Sequence, residues 1–185
     1  QREISSGGAR RAARQSRQGR LGRRGAERRP HARAGGGAFL CAPRVGRGAA
    51  YADIDNDGAL DLLLTTNGGP AYLFHNTGGT NHSLRVKLVG TKSNRDGIGA
   101  VVRVTTGKEK QNSLSQMLRS GSSYLSQSEL VLTFGLGSLT QADVVEIQWP
   151  SGQVDKLSNV PGDQTITVQE GKGITNSRHF GKGES

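Results

Sequence analysis

Ser83–Gly90 reads SLRVKLVG, and its apolar and charged side chains alternate. Leu84, Val86 and Leu88 fall on one face, Arg85 and Lys87 on the other. Successive side chains of a strand point to opposite faces, so this spacing predicts a half-buried β-strand with its two cations toward water. The same period of two recurs in AVVRVTTG (100–107), LVLTFGLG (130–137), DVVEIQW (143–149) and TITVQEG (165–171). The predicted core is Val102, Val104, Val131, Leu132, Phe134, Val145, Ile147, Trp149, Ile166 and Val168, with the Trp149 ring N–H expected to meet a carbonyl. Asp96-Gly97 and Pro150–Gly152 stand where tight turns are needed. Residues 81–171 therefore read as an all-β domain, a small sandwich or barrel.

Upstream lies YADIDNDGALDLLL, Tyr51–Leu64, with aspartates at 53, 55, 57 and 61. Counted from Asp53, acids stand at positions 1, 3, 5 and 9 and Gly58 at position 6, which is the D-x-D-x-D-G spacing of a calcium loop. Ca²⁺ takes six to eight hard oxygens, and carboxylates at alternate positions of a tight turn converge on one point. The expected ligands are Asp53, Asp55, Asp57, the main-chain carbonyl of Ala59, and Asp61. Position 12 is Leu64, where an EF-hand has its bidentate Glu, and the flanking LLLTT reads as a strand. Asp61 then becomes the closing carboxylate. The bland alternative is an Asp-rich turn whose carboxylates cap backbone amides.

LLLTT, the turn NGGPA, the strand YLFHN and the turn NTGGTNH follow in order. The stretch GRGAAYADIDNDGALDLLLTTNGGPAYLFHNTGG (46–79) resembles an FG-GAP repeat, the calcium-bearing hairpin unit of integrin-like propellers. One such unit cannot close a propeller. Farther on, NHSLRVKLVGTKSNRDGIGAVVRV, LRSGSSYLSQSE, FGLG and VVEIQWPSGQVDKL, in this order, resemble the ASPIC/UnbV domain. The two resemblances together span about Gly46 to Gly171. They imply an extracellular or periplasmic protein that binds Ca²⁺ and acts by adhesion to a protein or glycan, without catalysis.

The remaining composition divides the chain. Residues 1–47 hold 13 Arg, no Lys and two acids, a net +11, whereas the rest carries a net −1. Arg, Ala and Gly fill 30 of those 47 positions, too little apolar surface to offset chain entropy. Residues 1–45 are expected to be disordered, and three readings stay open for them: a solvated tail, a phosphate-binding arm, or a GC-rich gene translated in a shifted frame. The arm supplies the alternative function, nucleic-acid binding. It has no aromatic residues spaced for base stacking. Residues 46–80 are expected to form the calcium hairpin and 172–185 a flexible tail.

The single cysteine, Cys41, excludes an intramolecular disulfide. No apolar run approaches a membrane span, and the first 38 residues have no signal-like apolar stretch. GIGAVV (97–102) lacks the third glycine and the following helix of a dinucleotide site. The serines of 113–129 lack a nucleophile elbow and read as polar loops and edge strands. His75 and His82 read as unrelated surface histidines.

Overall fold

The computed structural model describes residues 32–33 (backbone only), 45–107 and 112–181. The Arg-rich readings therefore fall almost entirely outside the described residues. The described residues form twelve strands and no helix. The first four are β1 (Ala32–Arg33), β2 (Gly46–Ala52), β3 (Asp61–Thr66) and β4 (Tyr72–His75). Then come β5 (His82–Val89), β6 (Val101–Thr106), β7 (Asn112–Met117) and β8 (Val131–Gly137). The last are β9 (Gln141–Gln148), β10 (Val154–Pro161), β11 (Gln164–Gln169) and β12 (Gly173–His179). They build three four-stranded sheets, ordered β1-β4-β3-β2, β10-β9-β6-β7 and β12-β11-β5-β8.

The last two sheets share one core and form a sandwich. Val102, Val104, Val145 and Ile147 come from one sheet, and Leu84, Val86, Leu132, Phe134, Ile166 and Val168 from the other. Fully burying such a side chain contributes about 1.5–3 kcal/mol relative to leaving it in water. All but one of the predicted core positions are buried; Val131 is only half-buried. At the centre β5 pairs with β11 in parallel, Val86 opposite Ile166, and with β8 antiparallel, Val86 opposite Leu132. A parallel pair needs a crossover. Here the connection contains β8 and all four strands of the other sandwich sheet, so strands far apart in the chain become neighbours.

The turns fall as expected, with the Gly97 amide donating to the Asn94 carbonyl and the Gly152 amide to the Trp149 carbonyl. Trp149 is buried, but its ring N–H donates to the Asp155 carboxylate at 2.8 Å, not to a carbonyl. A carboxylate is the stronger acceptor for a donor removed from water. Residues 173–179, assigned from sequence to a flexible tail, are strand β12, in antiparallel register with β11 from Gln164–His179 onward. Their polar composition hid a strand that has no buried side chain.

The hairpin sheet contributes none of its described residues to the buried core. Among the described residues, several attachments join it to the sandwich, one of them the Ser83 hydroxyl of β5 donating to the Gly58 carbonyl at 3.2 Å, and three more stand out. The first corrects the reading of Arg85. Lys87 is exposed as expected, but Arg85 is buried, its Nη1 2.7 Å from Asp53 Oδ2 and its Nη2 paired with Glu129. The aspartate loop covers the outer face of β5 at this point and replaces solvent with a carboxylate. The second is the serine-rich segment. Ser123 and Ser128 hydroxyls accept from the Ala49 and Tyr51 amides, and the Glu129 amide donates to the Tyr51 carbonyl. The third is the segment after β12, where the Gly181 amide donates to the Asn56 carbonyl.

Candidate metal centre

The loop between β2 and β3 turns tightly because two residues adopt left-handed backbone, Asn56 (φ 60°) and Gly58 (φ 89°). Asparagine tolerates that region better than most residues, and glycine enters it without penalty. The turn divides the four aspartates into two kinds. Asp53 and Asp61 point inward and are buried. Asp53 accepts the Asp57 amide on Oδ1 (3.1 Å) and the Gly58 amide on Oδ2 (3.0 Å), besides its ion pair with Arg85. Asp61 accepts the Ile54 amide on Oδ2 (3.0 Å) and the Asn76 amide on Oδ1 (2.7 Å), which ties the loop entrance to the end of β4.

Asp55 and Asp57 face outward, and the structure brings His75 to them. His75 Nε2 lies 2.8 Å from Asp55 Oδ2, and ligand atoms from Asp55, Asp57 and His75 all lie within 4.8 Å of one another. The Ala59 amide donates to Asp57 Oδ1 at 2.8 Å. The charges are unevenly compensated. The hydrogen bond from His75 holds the Asp55 carboxyl below its usual range, and the same bond raises the His75 imidazole. Burial pushes the Asp57 carboxyl up, and the negative charges of Asp55, Asp53 and Asp61 add to the rise. Asp57 thus sits in a negative field that a cation would relieve.

These residues fit a bound cation in part. Asp55, Asp57 and His75 present donor atoms at one point; Asp53 and Asp61 shape the turn with oxygens already engaged by backbone amides. The five residues expected from sequence are therefore on one loop but do not all face one point. Sequence reasoning missed His75 and Arg85. Hairpin register would have found His75, since Leu62 pairs with Phe74 and the next pair outward sets Asp61 beside His75. His75 and His82 do stand apart, His82 Nδ1 pairing with Asp163 Oδ2 at 2.6 Å. A cleft of about 790 Å³ lies beside the loop, lined among others by Asp57, Asn81, His82, Asp163 and Phe180.

The strands that flank this site lead into the sandwich whose first β5–β6 turn opens at Gly90. Residues 90–175 match the family described as ASPIC and UnbV. Cartilage acidic protein 1 of Homo sapiens is 32% identical over 128 residues, covering 67% of this chain and 19% of that protein. Its Xenopus tropicalis counterpart is 34% identical over 122 residues (64% and 18%), and that of Mus musculus 35% over 129 (68% and 19%). The chain spans about a fifth of the length of these curated relatives. Alignments this long reach upstream of the ASPIC and UnbV segment into the hairpin sheet. A solved structure from Bacteroides ovatus ATCC 8483 superposes at a TM-score of 0.34 with 9% identity, over 72% of this chain and 60% of that one, which is too slight to carry an argument. Among the described residues no helix is long and apolar enough to cross a membrane.

Proposed function

We propose that this chain is a non-catalytic, calcium-binding module of an extracellular or periplasmic protein that adheres to a protein or glycan partner. The observation that carries the reading is the convergence of Asp55, Asp57 and His75 on a loop whose two other aspartates are spent on its shape. The hairpin of β2, loop and β3 is then one FG-GAP-like unit preceding the ASPIC and UnbV segment. Asp55 and Asp57 offer carboxylate oxygens, the Ala59 carbonyl is the main-chain ligand, and Asp53 and Asp61 close the shell or support it from behind. A bound cation would supply the positive charge that the outward carboxylates lack. Similarity to proteins named for cartilage supports a setting outside the cell. A structural role, with no chemical step, is the reading we favour for the surroundings: Ser83, next to the His82–Asp163 pair, donates its hydroxyl to the Gly58 carbonyl and so serves as a tie to the loop.

Thermal melting tests this. A ligand at a hundred times its Kd adds about 2.7 kcal/mol to folding stability. Millimolar Ca²⁺ is expected to raise the melting temperature of the chain by several degrees, and Asp57→Ala to abolish the rise. An unshifted wild type would end the calcium reading. Mn²⁺ and Zn²⁺ belong in the same experiment because the imidazole of His75 suits borderline ions better than Ca²⁺; a shift with those ions alone would change the metal and keep the site.

A further inference from the structure

Strand β12 is held in an unusual way. From Ile174 to His179 every side chain is exposed, so the strand has its ladder with β11 and little packing of its own. The two residues after the strand are anchored. The Phe180 amide donates to the Asp163 carbonyl at 3.1 Å, and the Gly181 amide donates to the Asn56 carbonyl at 3.1 Å. The half-buried Phe180 ring lies against Gly58, so close that a Cβ there would overlap it, coming within 2.9 Å of Cζ. Asn56 and Gly58 are the two left-handed residues of the aspartate loop, and Asp57 stands between them. Phe180 and Gly181 therefore grip the turn on both sides of the outward carboxylate. A second tie runs beneath it: Asp163 accepts the Ser83 amide and pairs with His82, and the Ser83 hydroxyl donates to the Gly58 carbonyl.

We infer that Phe180 and Gly181 are positioning residues for the loop: the end of β12 is a latch, and its docking and the loop's cation occupancy stabilise each other. The cation half of this rests on the proposed calcium site; the latch half rests on the contacts of Phe180 and Gly181 themselves. Among the described residues Asp57 has no ion pair, only the Ala59 amide on Oδ1, and its backbone lies between two residues in the left-handed region, a conformation the surrounding contacts must hold. Phe180 fills the space into which Gly58 would move. Coupling of this kind is reciprocal, so an undocked latch weakens the cation as much as an absent cation loosens the latch.

Amide hydrogen exchange with and without millimolar Ca²⁺, on wild type, Phe180→Ala and Phe180→Leu, tests both halves. In Phe180→Ala the amides of Asp57 and Gly58 are expected to exchange about tenfold faster, while core amides such as Val86 and Ile166 stay at the wild-type rate. Calcium affinity by calorimetry is expected to fall about tenfold in the same variant, and Phe180→Leu to recover most of both. In wild type, Ca²⁺ should slow exchange through Thr175–Gly181. Wild-type exchange at Asp57 and Gly58 in Phe180→Ala would overturn the latch, whatever calcium does. Unchanged affinity beside faster exchange would overturn the coupling. If wild type takes up no Ca²⁺, the calcium reading falls, and faster loop exchange in Phe180→Ala still separates a true latch from an idle contact.

Discussion

Arg85 shows how one side chain can belong to two structures at once. Its backbone sits on β5, whose alternation assigns it to the outer face, and the alternation is obeyed: Leu84 and Val86 are in the core and Arg85 points away from them. The outer face is nevertheless covered, and the guanidinium meets Asp53 and Glu129 with only 4% of its side chain exposed. Truncating one member of a buried ion pair leaves the other charged and unpaired, at a cost of about 3–5 kcal/mol. Arg85→Met is expected to lose that much in denaturant unfolding, and Asp53→Asn in the same background to regain part of it. If Arg85→Met unfolds like Lys87→Met at the neighbouring exposed position, the pair does not hold the hairpin to the sandwich. The arginine also bears on the proposed cation site. It neutralises the innermost aspartate, so the turn keeps its shape with less demand on a metal than four free carboxylates would make.

At the scale of elements, β2 is an edge strand whose outer side is closed by a segment of hydroxyls. Ser123 and Ser128 accept from its amides, and Ser126 and the Tyr124 carbonyl press against Gly48, where a Cβ would come within 2.7 Å of that carbonyl. Covering an edge removes the unpaired amides that would otherwise recruit another strand. Arg47 adds a cation–π contact, 4.9 Å from the Tyr124 ring centre. Gly48→Ala is expected to cost about 1–3 kcal/mol, the usual penalty of overpacking, and to speed proteolytic cleavage within 120–128. An unchanged cleavage rate would mean the segment is held elsewhere. The serines of 113–129 were legible only as loop and edge-strand material, since β7 and the cover over β2 have no apolar period. Strands β10 and β12 escaped for the same reason: an edge strand with mostly exposed side chains leaves no alternation to read.

At the scale of the whole molecule, Glu170 fastens one end of the sandwich. It stands just beyond β11 and accepts the amides of Thr91, Lys92 and Ser93, which come after β5, together with the hydroxyls of Ser93 and Ser151, the latter in the β9–β10 turn. Both sheets are joined through one carboxylate. Burial alone would raise its pKa; hydrogen bonds from Ser151 and from the amides of Ser93, Thr91 and Lys92 outweigh that and hold it at about 2, against an ordinary value of 4.5. A carboxyl with a lowered folded pKa adds stability that is complete above its unfolded value and disappears as pH falls through the folded one. Glu170→Gln is expected to melt lower than wild type at neutral pH, with the gap closing between pH 4.5 and about 2. A gap independent of pH across that range would show a packing loss in place of a charge effect. The hairpin sheet lies outside this fastening and outside the core, and its own leucines stay half-exposed or exposed.

Alternation by itself determined that β5, β6, β8, β9 and β11 are half-buried strands and which of their side chains fill the centre of the sandwich, Val131 excepted, because a period of two is a local property of extended backbone. The aspartate spacing likewise marked a tight acidic turn on a hairpin, since the i, i+2 positions and Gly58 are set within one short stretch of chain. Only the tertiary structure decided which aspartates face outward, because that depended on a guanidinium from β5 and a histidine from β4. It alone placed β11 beside β5 and laid Phe180 on Gly58. Those contacts join residues distant in the chain, and their formation depends on how sheets stack; no local pattern of charge or hydropathy encodes it.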